Sequence, residues 1–169
     1  MTVALALLIM RVVAGVILAA HGAQKLFGWF GGPGFAAMEK GFAPRGYRPA
    51  WLWVTLAIVG ELGGGLSLAL GFLTPLGAAG AVGAMVMAIS THWKHGFFGA
   101  KGGYEYPLAL LTMCLAIGVA GAGTYSLDGM LKLNLPMPFF GLLMLAALIV
   151  DAVGIVMSRA ALEVAPAKA

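Results

Sequence analysis

Glu61 stands in Val59-Gly-Glu-Leu-Gly-Gly-Gly65, near the middle of one apolar run, and Arg11 stands near the middle of another. A charge at that depth in hydrocarbon costs roughly 2.5–3.5 kcal/mol on insertion scales unless it finds a partner. Arg11 is ten residues before His21, where its run ends, and Glu61 is eleven after Ala50, where its run begins. At 1.5 Å per residue both lie about 15–17 Å deep, so two antiparallel neighbours would bring them to one level. The expectation is an Arg11–Glu61 ion pair inside a helix bundle. Such a pair either fixes helix register or handles protons, and both readings stay open. If there is catalysis, Glu61 and Arg11 are the residues expected to carry it.

The histidines gather at one predicted interface. His21 ends the first run, and His92 and His95 end the third. Histidines from two helices can ligate a metal or haem. Polar residues bonded to backbone, loop or lipid head groups explain them more simply, and no metal site is assigned. One histidine donating to a quinone-type carbonyl in an apolar groove is the stronger of the ligand-binding readings. Gly102 and Gly103 free the backbone to turn inward, and Pro107 fixes the next helix start. Tyr104 and Tyr106 add hydroxyls, and Glu105 adds an acid. His21, His92 and Gly102–Pro107 are therefore expected to surround one cavity mouth opening towards Glu61. His21, His92, Tyr104 and Glu105 would contact the cofactor, and a quinone is the cofactor that fits. Asp151 is a further buried acid, about ten ångströms from its helix end by rise, with no partner apparent in the sequence.

These groups need elements to hold them. Of 169 residues, 62% are apolar and 9% charged, against about 45–50% and about 25% in a soluble domain. Such a chain cannot cover itself with polar surface, so lipid is its solvent. Five apolar stretches approach the roughly 17–20 residues a span needs: about 3–21, 50–70, 75–92, 107–121 and 139–158. All should be helices, because backbone in lipid must satisfy its own hydrogen bonds. The fold class is all-α, a polytopic membrane helix bundle with a four-helix core and a fifth transmembrane helix, forming one domain over 1–169. Phe35 to Phe42 fits a short amphipathic helix at the interface, and residues 160–169 read as a disordered tail. Gly60 and Gly64 form GxxxG, and Gly77, Gly80 and Gly83 recur every third residue, which makes packing faces. Phe27, Trp29, Phe30, Trp51, Trp53 and Trp93 read as an aromatic belt at head-group level.

Charge sets orientation and excludes some functions. One side carries Lys25, Lys40, Arg45, Arg48, Lys94, Lys101, Arg159 and Lys168, and the other Lys132 alone. This bias puts the long loops in the cytoplasm. A net charge of +4 without a basic run gives nothing to follow a phosphate backbone, so nucleic acid is not a partner. The single cysteine, Cys114, excludes a CxxC redox pair within the chain and reads as a small buried apolar residue.

His21-Gly-Ala-Gln-Lys-Leu-Phe-Gly28, Phe30-Gly-Gly, Glu61 with its glycines, Leu70-Gly-Phe-Leu-Thr-Pro75, His92, Gly96-Phe-Phe, Gly102-Gly-Tyr-Glu-Tyr-Pro-Leu108 and Tyr125-Ser-Leu-Asp128 resemble the DoxX family of small bacterial membrane proteins. The resemblance implies a four-helix core, from which the fifth span departs. It also implies a redox-associated membrane protein, some relatives resembling membrane subunits of thiosulfate:quinone oxidoreductase. The expected function is a quinone-interacting subunit whose electrons come from a protein partner. The alternatives are a non-catalytic anchor or assembly subunit, or a small proton-linked transporter acting as a homo-oligomer.

Overall fold

The computed structural model describes residues 2–133 and 135–164, and among these there are helices and no strands. Helix α1 (Thr2–Phe27) is followed by the short α2 (Gly34–Phe42), then α3 (Ala50–Leu70) and α4 (Thr74–His92). Helix α5 (Glu105–Ala120), the one-turn α6 (Leu127–Met130) and α7 (Met137–Val164) complete the chain. Four of these are long and apolar enough to cross a membrane. Helix α5, with 16 residues, rises about 24 Å. The chain is thus a multi-pass membrane protein built as an all-α bundle.

Local chemistry sets the helix ends. Gly71 closes α3 in the left-handed conformation at φ 63°, where glycine carries no Cβ penalty. Thr74 and Pro75 then open α4, proline suiting a first turn whose N–H groups have no helical acceptor. Gly28, at φ 74°, ends α1. This differs from the expected end near His21: Gly22 to Leu26 stay helical, and His21 and Lys25 lie inside the helix. Residues 160–164 also differ from expectation, continuing α7 rather than starting a disordered tail. The rest of that tail, 165–169, lies outside the described residues.

Small residues set the packing, since helices in lipid associate through close van der Waals contact. Gly15 abuts Gly65 and Ala69, and Gly22 abuts Leu62, so α1 and α3 run antiparallel. Gly60 lies against Gly80, and Gly64 against Gly77, joining α3 to α4 along the glycine faces read from the sequence. Gly118 receives the Phe140 ring, and Gly154 receives the Trp53 ring, seating α7 on α5 and α3. Ser158 at the far end of α7 donates to the Arg45 carbonyl at 2.6 Å. The five long helices therefore alternate in direction. One end of the bundle, the loop face, carries α2, the 28–49 and 93–104 connections and the end of α7. The other, the turn face, carries the start of α1, the Gly71–Leu73 turn and the 121–133 segment.

Candidate functional site

Glu61 lies in a π-helical turn, Val59–Gly63, in the middle of α3. Such a turn inserts an extra residue into the helical ladder and recurs at functional positions. It splits the faces of α3: Gly60 points to α4, while Glu61 points to α1. Glu61 is 3% exposed. Its Oε1 accepts a hydrogen bond from Lys25 Nζ in an ion pair, and its Oε2 is buried without a hydrogen-bond partner.

The expected Arg11–Glu61 pair does not form. Arg11 is buried, but its Nη1 donates to the carbonyls of Leu68 at 3.3 Å and Ala69 at 2.9 Å, and its Nη2 to that of Tyr125. A depth counted from His21 is offset, because α1 continues to Phe27. Lys25, not Arg11, is level with Glu61, and Arg11 faces the last turn of α3. Asp128 completes this knot at the turn face. Its carboxylate accepts from the N–H groups of Leu73 at 2.7 Å and Thr74 at 2.9 Å, and its own N–H donates to Gly71 at 2.8 Å. Arg11 therefore satisfies the open carbonyls at the end of α3, and Asp128 the open N–H groups at the start of α4.

The other site candidates lie at the loop face. His21 Nε2 is 3.1 Å from the Tyr106 hydroxyl, and His92 Nδ1 is 2.8 Å from the Gly102 carbonyl. Both histidines thus engage the 102–107 segment, one at each end. Tyr104 stacks on Trp93, ring centroids 5.0 Å apart, and the Glu105 carboxylate lies over Gly99. A cavity of about 120 Å³ reaches in beneath α2, bounded by Lys25, Phe42, Arg45, Met87 and His92. His21 and Lys25, one turn apart on α1, fall on one helix face. Lys25 was read only as a loop charge. Its i+4 spacing from His21 signals only that the two share a helix face once α1 runs past His21. Among the described residues no three His, Cys, Asp or Glu side chains converge as a metal-holding group.

A larger cavity, about 260 Å³, lies between α3, α4 and α7. It shares Ala57, Ala84 and Met87 with the first cavity, and Gly60 of the π turn forms part of its wall. Trp53 and Asp151 line it. Trp53, expected in the aromatic belt, is instead 6% exposed and packed in the bundle, because Gly154 leaves room for its ring.

An alternating helix bundle with a part-buried acid–amine pair on a π turn defines a polytopic membrane protein with a polar site inside the bundle. The family model of DoxX matches residues 6–93, just over half of the chain, from α1 through the end of α4. The protein belongs to the DoxX family. Comparison with curated proteins and with solved structures gave no match. The matched segment holds Arg11, His21, Lys25, Glu61 and His92.

Proposed function

We propose that this DoxX protein is the quinone-interacting membrane subunit of an oxidoreductase complex, of the thiosulfate:quinone oxidoreductase kind. Its long loops would face the cytoplasm of the inner membrane, where a soluble partner supplies electrons. The observation that carries the reading is the one-sidedness of the Glu61 site. Towards the loop face Glu61 meets Lys25, with the Lys25–His92 cavity and the His21–Tyr106 pair beyond it. Towards the turn face the bundle closes on Ala14, Leu18, Leu68, Ala78 and Ala81, all fully buried. A polar path from one side to mid-membrane suits proton delivery to a carrier dissolved in the bilayer. A permease would need a second arrangement opening the turn face, where the contacts of Arg11 and Asp128 tie α1, α3 and α4 together.

A quinone taking up two electrons also takes up two protons. The chain's own residues would hold and pass those protons: Glu61 and Lys25 within the bundle, His92 on the cavity wall, and His21, Tyr104 and Glu105 on the surrounding loop face, outside the cavity lining. Arg11 would act at a distance, by holding α3 in register.

The test is purification in mild detergent, extraction, and mass spectrometry of the co-purified small molecules, with titration of a short-chain quinone into the wild type and Glu61→Gln. Quinone enriched over the bulk membrane extract, with saturable binding, supports the proposal. Quinone at the bulk ratio and no saturable binding would leave the non-catalytic anchor as the function.

A further inference from the structure

The 260 Å³ cavity between α3, α4 and α7 adjoins the smaller loop-face cavity through Ala57, Ala84 and Met87 but opens on another side of α3. Among its lining residues Gly60, Gly80, Gly83 and Ala84, on facing stretches of α3 and α4, carry no side chain longer than a methyl. Its rim includes Leu56, Val59 and Val150, each at least 40% exposed on faces turned away from the bundle. In a bilayer those faces meet lipid, and the cavity is entered sideways.

Two polar atoms at this apolar slot lack partners. Asp151 is 7% exposed, and its Oδ2 is buried without a hydrogen bond; Trp53 is 6% exposed, and its indole Nε1–H is likewise unsatisfied. The Asp151 carboxyl lies over Gly83, where any added Cβ would meet Oδ2 at 3.4 Å. Buried polar groups are ordinarily hydrogen-bonded, and an acid inside a membrane segment marks function by default. An acyl chain would leave both groups unsatisfied. A planar ring bearing carbonyl or hydroxyl groups fits against the glycine-rich stretch and offers a partner to both. The volume falls just under the roughly 300–1,000 Å³ of pockets for drug-sized ligands, enough for one substituted ring whose tail trails into lipid.

We infer that Asp151 and Trp53 form a lateral ring-binding site for a lipid-soluble quinone or quinol, on the face of the π turn next to that of Glu61. This rests on the quinone reading proposed above. The indole N–H donates to a ring carbonyl. The Asp151 carboxyl donates to a carbonyl when protonated, and accepts from a quinol hydroxyl when ionised. No bond is made or broken at this site. It holds the ring, while Gly60 and Glu61 place the proton-bearing side on adjacent faces of one turn.

The probes are decyl-ubiquinone for equilibrium binding and an azido-ubiquinone for photocrosslinking, with the whole protein in phospholipid nanodiscs. The variants are Asp151→Leu and Ala146→Trp, with folding checked by circular dichroism. Ala146 lines the slot on an exposed face, so its variant tests the site even if Asp151→Leu does not fold. Loss of a hydrogen bond to the acid should weaken binding about tenfold, and the tryptophan should block entry by at least as much. Crosslinks should fall within residues 53–60 and 146–151. Saturable binding that the variants leave unchanged, with crosslinks within 102–107, overturns this site and leaves the quinone reading standing. Unchanged binding that excess phospholipid displaces identifies an acyl-chain groove and also overturns the site. No saturable binding by the wild type overturns both.

Discussion

The relocation of the Glu61 partner gives a sharp energetic prediction. If Lys25 is the partner, Lys25→Met and Glu61→Gln should be coupled in a double-mutant cycle, and Arg11→Met and Glu61→Gln should not. Breaking a buried pair by removing one member typically costs about 3–5 kcal/mol. Lys25 is 23% exposed at its side chain while Glu61 is 4% exposed, so solvent lowers the coupling, and we expect about 1–3 kcal/mol. Arg11 binds the Ala69 carbonyl, eight residues past Glu61, which is roughly 12 Å along the helix. Sites so separated usually add within about 0.5 kcal/mol. Arg11→Met should nevertheless destabilise strongly alone, because three carbonyls lose a charged donor. Polar contacts within membranes average about 0.6 kcal/mol and reach about 1.7, which gives about 2–5 kcal/mol for the set of three. The assay is equilibrium unfolding in mixed micelles by titrating a denaturing detergent, followed by far-ultraviolet circular dichroism. Strong coupling between Arg11 and Glu61, with none between Lys25 and Glu61, would refute the reasoning.

Asp128→Ala should remove the acceptor for the first N–H groups of α4 and lower stability by about 1–2 kcal/mol in the same titration, with Asp128→Asn recovering part of it. Gly118→Val should drive a side chain into the Phe140 ring, costing about 1–3 kcal/mol by overpacking, visible as a lower melting temperature. Reporter fusions after Lys40 and Lys101 should both give cytoplasmic signals; periplasmic signals from both would reverse the orientation.

The bundle was legible because its signals are one-dimensional. Apolar run length, the Pro49 and Pro75 starts and the glycine spacing each report on a single helix or on a seam between neighbours. Burial of Arg11 and Glu61 was legible for the same reason, since each interrupts an apolar run. Their partners were not. Pairing depends on the axial offset between α1 and α3, and a helix end misread by six residues shifts that offset by about 9 Å. The π turn at Glu61 was also invisible, because its glycine-rich sequence suits close packing equally well. Asp128 sits in a segment quoted for its resemblance to the family. Its capping of α4 rests on a fold-back across some fifty residues, which no local pattern encodes. Trp53 was misplaced because an aromatic near a helix end usually meets head groups, and only Gly154, about a hundred residues away, makes room for it inside.

Helix lengths in this bundle are unequal, and the surrounding lipid must answer to that. Helix α7 has 28 residues and rises about 42 Å, whereas α5 has 16 and rises about 24 Å. Beyond α5 the chain leaves the helix at Gly121 and folds over Arg11, whose guanidinium holds the Tyr125 carbonyl. Irregular backbone at that level is tolerable only because protein satisfies it. Hydrocarbon beside α5 is then matched to a wall shorter than the roughly 30 Å bilayer core, while beside α7 it is not. The annulus is pinched on one flank, at a cost of fractions of a kcal/mol per ångström of mismatch. A second membrane protein with an equally short flank would relieve that pinch by lying against α5. The preference can be read by reconstituting the protein in bilayers of graded chain length and following its thermal stability, which should peak in the thinner ones.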